Sequence, residues 1–298
     1  MQRQVSLQTH IWILTDVPAG PTGCPVCTED SIRSFLGEHD IILLVETFAS
    51  GFPDHLFPLF DSYNVPGIKL SDTTSGRLSG GVTFLVRKSL SSSVEQVPVE
   101  YDNIIVLKVS REVTVTPTDV LVVGVYLPPA GSDYYKDTEI DNGLLILELC
   151  VIDLLEKFGD LPFVICGDLI ARTGCETGSA SVLPDGIFST DDDDNASGWK
   201  DDMTRHSKDV NVNAFGRYLL NLCEQFELFI ANGFLPGDEA GDFTYISNSG
   251  CSTIDYFVIS RTLFSYSKSL KVLPRVESKH VPVRLQWIGP VGTGAVRV

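Results

Sequence analysis

Five polar residues stand at the ends of apolar segments, where a folded sheet would bring them to its rim. Glu46 closes IILLVE, Tyr126 closes VLVVGVY, Asp168 follows FVICG, Asp255 precedes YFVIS, and His280 stands before VPVRL. Carboxylates and imidazoles transfer protons or bind cations, and α/β folds assemble their sites at strand ends beside open loops. Taken singly, each residue is better explained as a turn acid, a core aromatic or a surface histidine. Only the whole set indicates a site.

Eight apolar runs predict the strands that would position these residues. They cover residues 11–15, 41–46, 82–86, 104–109, 120–126, 163–166, 256–260 and 281–285. IILLVE and VLVVGVY are apolar throughout, which is typical of strands covered on both faces. IIVLKV and GVTFLVRK alternate in part, and this pattern predicts sheet edges.

Helical spacing of apolar residues occurs in two segments, 144–158 and 215–226. Asp141 or Asn142 can cap the first helix, and a shorter helix is expected over 31–37. Many strands with few helices predict an α/β fold of four layers, with two mixed β-sheets packed face to face and flanked by helices. Residues 1–298 are expected to form one domain. A surface excursion without periodicity runs from Thr173 to about Ser207.

The bulk composition limits the partners and the compartment. The net charge is -17, from 22 Lys and Arg against 39 Asp and Glu, so tight non-specific binding of DNA is not expected. No apolar run reaches the roughly 18 residues that cross a bilayer, and the first ten residues lack the regions of a signal peptide. We therefore expect no membrane contact and an intracellular chain, nuclear or cytoplasmic.

The seven cysteines are scattered, and several lie in apolar stretches, which favours a reducing compartment. Cys24 and Cys27 have the spacing of half a zinc site or of a redox pair. A structural zinc site needs four ligands, and no second pair with this spacing exists. A redox pair would need a βαβ context that is absent here. Incidental thiols in a loop are the favoured interpretation.

Seven sequence blocks follow one another along nearly the whole chain. They are IILLVETF, GRLSGGVTFLVRKSL, VVGVYLPPAGSDYY, FVICGDLIART, TRHSKDVNVNAFGRYLLNLCEQFELFIANG, DFTYISNSGCSTIDYFVISR and SKHVPV. Their joint occurrence in this order resembles the endonuclease/exonuclease/phosphatase superfamily, specifically the endonucleases of non-LTR retrotransposons. Any one block alone would be a weak indication.

The resemblance implies a role for each of the five strand-end residues. Glu46 corresponds to the carboxylate that holds a divalent metal, normally magnesium, a hard cation that prefers oxygen ligands. Asp168 corresponds to the aspartate near the nucleophile, and Tyr126 to a tyrosine that contacts the phosphate. His280 corresponds to the catalytic histidine, and Asp255 to the carboxylate that orients it. The implied reaction is phosphodiester cleavage in DNA, which needs a positioned water, charge relief and help for the leaving group.

Three positions depart from the family's pattern. Ile170 stands where the motif GDFN ends in an asparagine donor, and losing one such donor costs about 3 to 4 kcal/mol of barrier. Lys279 replaces the aspartate of SDH, which turns attraction of a cation into repulsion and should lower metal affinity. Asp16 aligns with an asparagine that helps hold the metal, and it can still bind magnesium. Lys279 either fills the metal's space beside Glu46 and Asp168 or points to solvent.

Two basic residues follow the long excursion. Arg205 and Lys208 are candidates for contact with substrate phosphates, although salt bridges that hold surface loops are the commoner role of such residues.

Three functions compete at this point. The first is a retrotransposon-derived pseudoenzyme, weakly active or inactive, retained as a module that binds DNA or a protein partner. The second is a working magnesium-dependent DNA endonuclease that tolerates Ile170 and Lys279. The third is a phosphoesterase of inositides or other small phosphoesters, which a shared fold would permit.

Overall fold

A computed structural model describes residues 8–15, 39–51, 57–70, 78–137, 142–176, 204–274 and 278–288. The strands in chain order are β1 (Gln8–Thr15), β2 (Ile41–Val45), β3 (Phe60–Val65), β4 (Val82–Arg87), β5 (Val94–Val97), β6 (Ile104–Val109), β7 (Val120–Tyr126), β8 (Phe163–Asp168), β9 (Leu228–Ile230), β10 (Tyr245–Ser247), β11 (Gly250–Ser252), β12 (Asp255–Ser260), β13 (Ser267–Val272) and β14 (Val283–Ile288). The helices are α1 (Arg111–Thr114), α2 (Tyr134–Asp137), α3 (Gly143–Phe158) and α4 (Ala214–Gln225). Short 3-10 segments cover Ser91–Ser93 and Arg261–Tyr266.

The strands form two six-stranded sheets and one small hairpin. The first sheet has the order β13-β14-β1-β2-β4-β3, and the second has the order β5-β6-β7-β8-β12-β9. In each sheet one central pair is parallel, β1 with β2 and β7 with β8, and all the other pairs are antiparallel. Strands β10 and β11 pair separately as an antiparallel hairpin. Both large sheets are therefore mixed, as the sequence predicts.

A continuous apolar core joins the facing surfaces of the two sheets. Its members from the first sheet include Leu43 and Phe84, and those from the second include Val122 and Phe257. At Gly124 of β7 the sheets approach closely, because a Cβ there would lie 2.5 Å from Leu43 Cδ1 and 2.9 Å from the Phe84 ring. Glycine is the residue that permits such an approach.

The outer face of the second sheet is covered by α3 and α4. Alternate residues of β6, β7 and β8 pack with the apolar faces of both helices in a second core. Asn142 caps α3 by accepting a 3.1 Å hydrogen bond from Leu144 N, and Gly159 ends the helix at a positive φ of 62°. Asn142 is one of the two caps that the sequence offers. The helix expected over 31–37 lies outside the described residues.

The structure corrects one prediction about the sheets. The strands IIVLKV and GVTFLVRK, expected at edges, are β6 and β4, which have neighbours on both sides. The edges are β3, β5, β9 and β13, several of which are short or partly polar. The polar residue in β6, Lys108, forms an ion pair with Glu95, its direct partner on the edge strand β5.

Three further expectations concern a membrane-spanning helix, the cysteines and the single domain. Among the described residues no helix is long and apolar enough to cross a bilayer. The described cysteines are free thiols, and Cys150, Cys166 and Cys223 are buried, as their apolar surroundings predict. Cys24, Cys27 and most of the excursion from Thr173 to Ser207 lie outside the described residues. The single domain over residues 1–298 stays a prediction.

Candidate active site

Three of the five strand-end residues form a row across the second sheet. Tyr126 ends β7 and pairs in register with Asp168, which ends the parallel strand β8. Asp168 pairs in turn with Asp255, the first residue of the antiparallel strand β12. Because neighbouring positions in a sheet lie side by side, the register alone brings a phenol and two carboxylates to one edge. These three strand-end residues therefore lie side by side at one edge of the sheet.

His280 completes the row from the first sheet. It lies just before β14, and its Nδ1 is 3.0 Å from each carboxylate oxygen of Asp255. Tyr245 on β10 packs edge to face against the imidazole, with ring centroids 4.9 Å apart. The backbone nitrogens of Ile254 and Asp255 both donate to Thr244 Oγ1 at 3.0 Å, which fixes the start of β12. The imidazole is therefore held on two sides.

The opposite nitrogen of His280 faces Asp168. Nε2 lies 3.9 Å from Asp168 Oδ2, which is beyond the length of a direct hydrogen bond. Burial lowers the pKa of His280, but the charge and hydrogen bond of Asp255, with the charges of Asp168 and Glu46, outweigh burial and raise it to about 9. The geometry thus favours an imidazolium next to three acids.

Asp168 is itself perturbed by the same neighbours. Burial raises the pKa of Asp168 well above its usual value, and the negative charges of Asp255 and Glu46 add to this effect. His280 and the hydrogen bond from Ile170 N, at 3.0 Å, act in the opposite direction. A buried carboxyl that holds a proton in one state and releases it in another is suited to acid and base chemistry.

Glu46 reaches the row from the first sheet, at the end of β2. Its Oε1 accepts a 2.7 Å hydrogen bond from the hydroxyl of Tyr126. Burial, together with the charge of Glu46 and this bond, raises the pKa of Tyr126, so the phenol stays protonated as a donor. Glu46 also has a positive φ of 55°, an uncommon conformation for a residue with a Cβ. The site therefore lies at the rim where the two sheets meet.

The residues at this rim offer ligands for a cation. One ligand atom each of Asp168, Asp255 and His280 lies within 4.8 Å of the others, and all three residues are buried. Carboxylate oxygens are the ligands of hard divalent cations. Burial is the main cause of the raised pKa of Asp168, the charges of Asp255 and Glu46 add to it, and a bound cation would relieve that repulsion. The carboxylates of this group thus fit a divalent metal, whereas His280 as an imidazolium is not a ligand.

Ile170 lies on the tight turn after β8, two residues beyond Asp168. Its φ is 51°, in the left-handed region where a β-branched residue is a genuine outlier and where asparagine is favoured. Its carbonyl accepts a 3.0 Å hydrogen bond from the Asn213 side chain. The backbone thus keeps a conformation that suits the family's asparagine, although the side chain present cannot donate.

Lys279 is exposed, and its ammonium makes no ion pair within the described part of the chain. Its carbonyl accepts a 2.8 Å hydrogen bond from Ile246 N, which aligns the segment with β10. The structure therefore agrees with the second alternative for this residue, a side chain in solvent, and not with an ammonium in the metal's place. Asp16 lies outside the described residues.

Arg205 and Lys208, the two candidates for contact with substrate phosphates, lie in different surroundings. Arg205 is 1% exposed, and its guanidinium donates to the carbonyls of Asn232, Gly174 and Glu176 at 3.0, 2.9 and 2.6 Å. A guanidinium used in this way holds loops together and has no contact with solvent. Lys208 is exposed and forms an ion pair with Asp242.

Asn213 and Asp209 support the turn beside the site, and neither was identified from the sequence. Asn213 Oδ1 accepts from Gly216 N at 2.6 Å and from Arg172 N at 3.0 Å, so one side chain caps α4 and fixes the Ile170 turn. An asparagine before an apolar helical pattern is a cap signal that could have found it. Asp209 is buried and binds the Arg172 guanidinium at 2.6 and 2.8 Å. No sequence signal identifies that pair.

Comparison with known proteins gives matches in structure only. No family model and no curated protein sequence matches the chain. The AP endonuclease LMAP from Leishmania major superposes with a TM-score of 0.63 at 13% identity, over 95% of this chain and 88% of that chain. The endonuclease domain of TRAS1, a telomere-specific non-LTR retrotransposon, gives 0.56 at 14% identity, over 94% and 98%. The 3′ phosphatase NExo from Neisseria, bound to product DNA hairpin, gives 0.58 at 15%, over 94% and 99%.

The chain shares its fold with an AP endonuclease, a retrotransposon endonuclease domain and a 3′ phosphatase. The resemblance expected from the seven sequence blocks is confirmed at this level. The shared fold covers 94 to 95% of this chain, and the sequence blocks likewise extend along nearly all of it.

Proposed function

We propose that this chain is a magnesium-dependent nuclease of the endonuclease/exonuclease/phosphatase type, which cleaves phosphodiesters in DNA at a reduced rate. The observation that carries the proposal is the buried His280 and Asp255 pair facing Asp168 across the joined rims of the two sheets. DNA as the substrate class is supported by the similar structures, which include an AP endonuclease and a 3′ phosphatase bound to product DNA hairpin. The free thiols support an intracellular place of action.

Magnesium would be held by Glu46 beside Asp168, with Asp16 as a further candidate ligand. Glu46 and Asp168 are close enough for the charge of Glu46 to raise the pKa of Asp168. When bound, the cation would relieve negative charge on the phosphoryl oxygens. The exposed Lys279 lowers affinity only through a screened charge, so binding is weakened and not abolished.

The chain's own residues would handle the protons. Asp255 holds the Nδ1 side of His280, which leaves Nε2 directed toward Asp168. Asp168, whose pKa is raised, is placed to take a proton from an attacking water in this pocket. His280, whose pKa is raised to about 9, carries a positive charge near neutral pH that would stabilise the phosphoryl group.

The reduced rate follows from Ile170. In the family's motif the asparagine at this position donates a hydrogen bond in the site, and isoleucine has no donor. The loss of one preorganised donor slows such reactions by about 100-fold to 1000-fold. The scaffold around the position is kept, because Asn213 and Asp168 still bond to the Ile170 backbone.

A plasmid-nicking assay with magnesium tests the proposal. We expect slow nicking that EDTA stops and that His280→Ala abolishes, whereas His206→Ala, a change at an exposed histidine, leaves the rate unchanged. Nicking that persists in His280→Ala would refute the assignment of the site. DNA binding without any nicking would support a pseudoenzyme kept as a binding module.

A further inference from the structure

Asn103 directly precedes β6 and forms hydrogen bonds with both sheets next to Glu46 and Tyr126. Its carbonyl accepts a 3.0 Å hydrogen bond from Tyr126 N in the second sheet. Its side-chain Oδ1 accepts a 3.1 Å hydrogen bond from Gly81 N, just before β4 of the first sheet. Asn103 is 2% exposed and has a positive φ of 59°, a conformation that asparagine adopts more readily than most residues.

Gly80 and Gly81 connect Asn103 to the backbone beside Glu46, the carboxylate proposed to hold the metal. The carbonyl of Gly80 accepts from Phe48 N at 2.8 Å, and that of Gly81 accepts from Thr47 N at 3.2 Å. These bonds hold the two residues that directly follow Glu46. They therefore fix the backbone where Glu46 takes its uncommon positive φ of 55°.

Together these bonds form a closed circuit through the rim. It runs from Tyr126 N through Asn103 to the glycine pair, then to the backbone after Glu46, and returns by the 2.7 Å bond from Tyr126 Oη to Glu46. We propose that Asn103 is a positioning residue, which sets the Glu46 and Tyr126 pair by joining the two sheets beside it. The catalytic meaning of this inference rests on the proposed function, but its geometric part does not.

The glycine pair leaves space that the asparagine side chain fills. A Cβ at Gly80 would lie 2.0 Å from Asn103 Oδ1, so a side chain at this position would displace the amide. Gly80 has a φ of 72°. Gly159 has a similar φ of 62°, and a Cβ there would meet nothing within 4 Å. Gly80→Ala and Gly159→Ala therefore both place a side chain at a positive φ, and only the first disturbs Asn103.

The hydrogen bond of Tyr126 can be observed directly by fluorine NMR of the full chain labelled with fluorotyrosine. Tyr126→Phe identifies the Tyr126 resonance, and Glu46→Gln shows its position when the acceptor is altered. Asn103→Gly keeps the left-handed backbone but removes Oδ1, and we expect it to shift the Tyr126 resonance toward that of Glu46→Gln. Glu227→Gly, at an exposed residue with a φ of 52°, is the control and should cause no shift.

Gly80→Ala gives a second route to the same disturbance, in case Asn103→Gly does not fold. It should shift the Tyr126 resonance in the same direction, and Gly159→Ala should not. An unshifted Tyr126 resonance in the folded members of Asn103→Gly and Gly80→Ala would overturn the proposal.

Calorimetric titration with magnesium measures how Asn103 affects the affinity for the metal. Loss of a residue that orients a ligand typically lowers metal affinity or activity by about 10-fold to 100-fold, and we expect Asn103→Gly to fall in this range. Wild-type affinity in Asn103→Gly would contradict the inference. A wild-type chain that neither nicks DNA nor binds magnesium would refute the proposed function, while the fluorine comparison would still decide the role of Asn103.

Discussion

Asp168 and Asp255 are direct partners in the antiparallel pairing of β8 and β12, with 2% and 1% of their surfaces exposed. Two buried carboxylates side by side repel each other, and burial together with Asp255 raises the pKa of Asp168. The imidazole of His280 lies against both acids. Such a group of residues is stable when a proton or a cation compensates the charge. The group should therefore respond to pH and to magnesium.

The stability of the metal-free protein should depend on pH through His280. Its pKa is about 9 in the fold, above its usual value of 6.5, so its stabilising charge is fully present below about pH 6.5 and is lost as pH rises through 9. We expect the difference in free energy of unfolding between wild type and His280→Gln to shrink over this range. Urea denaturation with EDTA measures it, and His206→Gln is the control. A difference that is constant with pH would contradict the assignment.

Ile170→Asn should raise the nicking rate. Asparagine restores a donor and suits the left-handed backbone, which costs about 1 to 2 kcal/mol for most other residues. We expect a gain of up to about 100-fold in rate. Ile170→Gly separates the two effects, because it relieves the backbone without adding a donor, and its rate should stay low. Equal rates in the two variants would show that the donor is not what this chain lacks.

Arg205→Met should destabilise the protein without acting on DNA contacts. The substitution leaves the buried carbonyls of Asn232, Gly174 and Glu176 without their donor, and we expect a loss of about 3 kcal/mol in the free energy of unfolding. Chemical denaturation measures this loss. Arg217→Met, on the exposed face of α4, is the matched control and should have little effect. If Arg205→Met instead weakens DNA binding at unchanged stability, the structural role is wrong.

Lys279→Asp should strengthen magnesium binding by a modest factor, of less than about tenfold, because the side chain is exposed and its charge is screened. Lys279→Ala should give a smaller gain. The gain should shrink at high ionic strength, as measured by calorimetric titration at two salt concentrations. Lys268→Asp, an exposed change on β13, controls for the added negative charge. A gain of several hundredfold would mean that the ammonium does act inside the site.

The sequence predicts which strand-end residues lie at the rim better than it predicts the residues that hold them there. Apolar runs mark strands such as β2, β7 and β8, and a polar residue at the end of each run must lie at the rim, so Glu46, Tyr126 and Asp168 could be placed without coordinates. The strand β3, FDSYNV, was not predicted, because only its first residue is buried and its pattern is largely polar.

The buried Arg205 could not be foreseen for a different reason. Arginine is exposed in most proteins, so the default expectation was a surface residue. Its partners are three carbonyls in two separate loops, and carbonyls are present at every position of a sequence. The same holds for Asn103, whose contacts with Gly81 and Tyr126 depend on how the two sheets are stacked.

The close approach at Gly124 has a consequence for the distance across the rim. Leu43 lies on β2 shortly before Glu46, and Gly124 lies on β7 shortly before Tyr126, so the close approach is next to the Tyr126 and Glu46 bond. Gly124→Ala would add one methyl group between the sheets and push them apart at this point. It would widen the gap that the phenol must span, although it touches neither member of the pair.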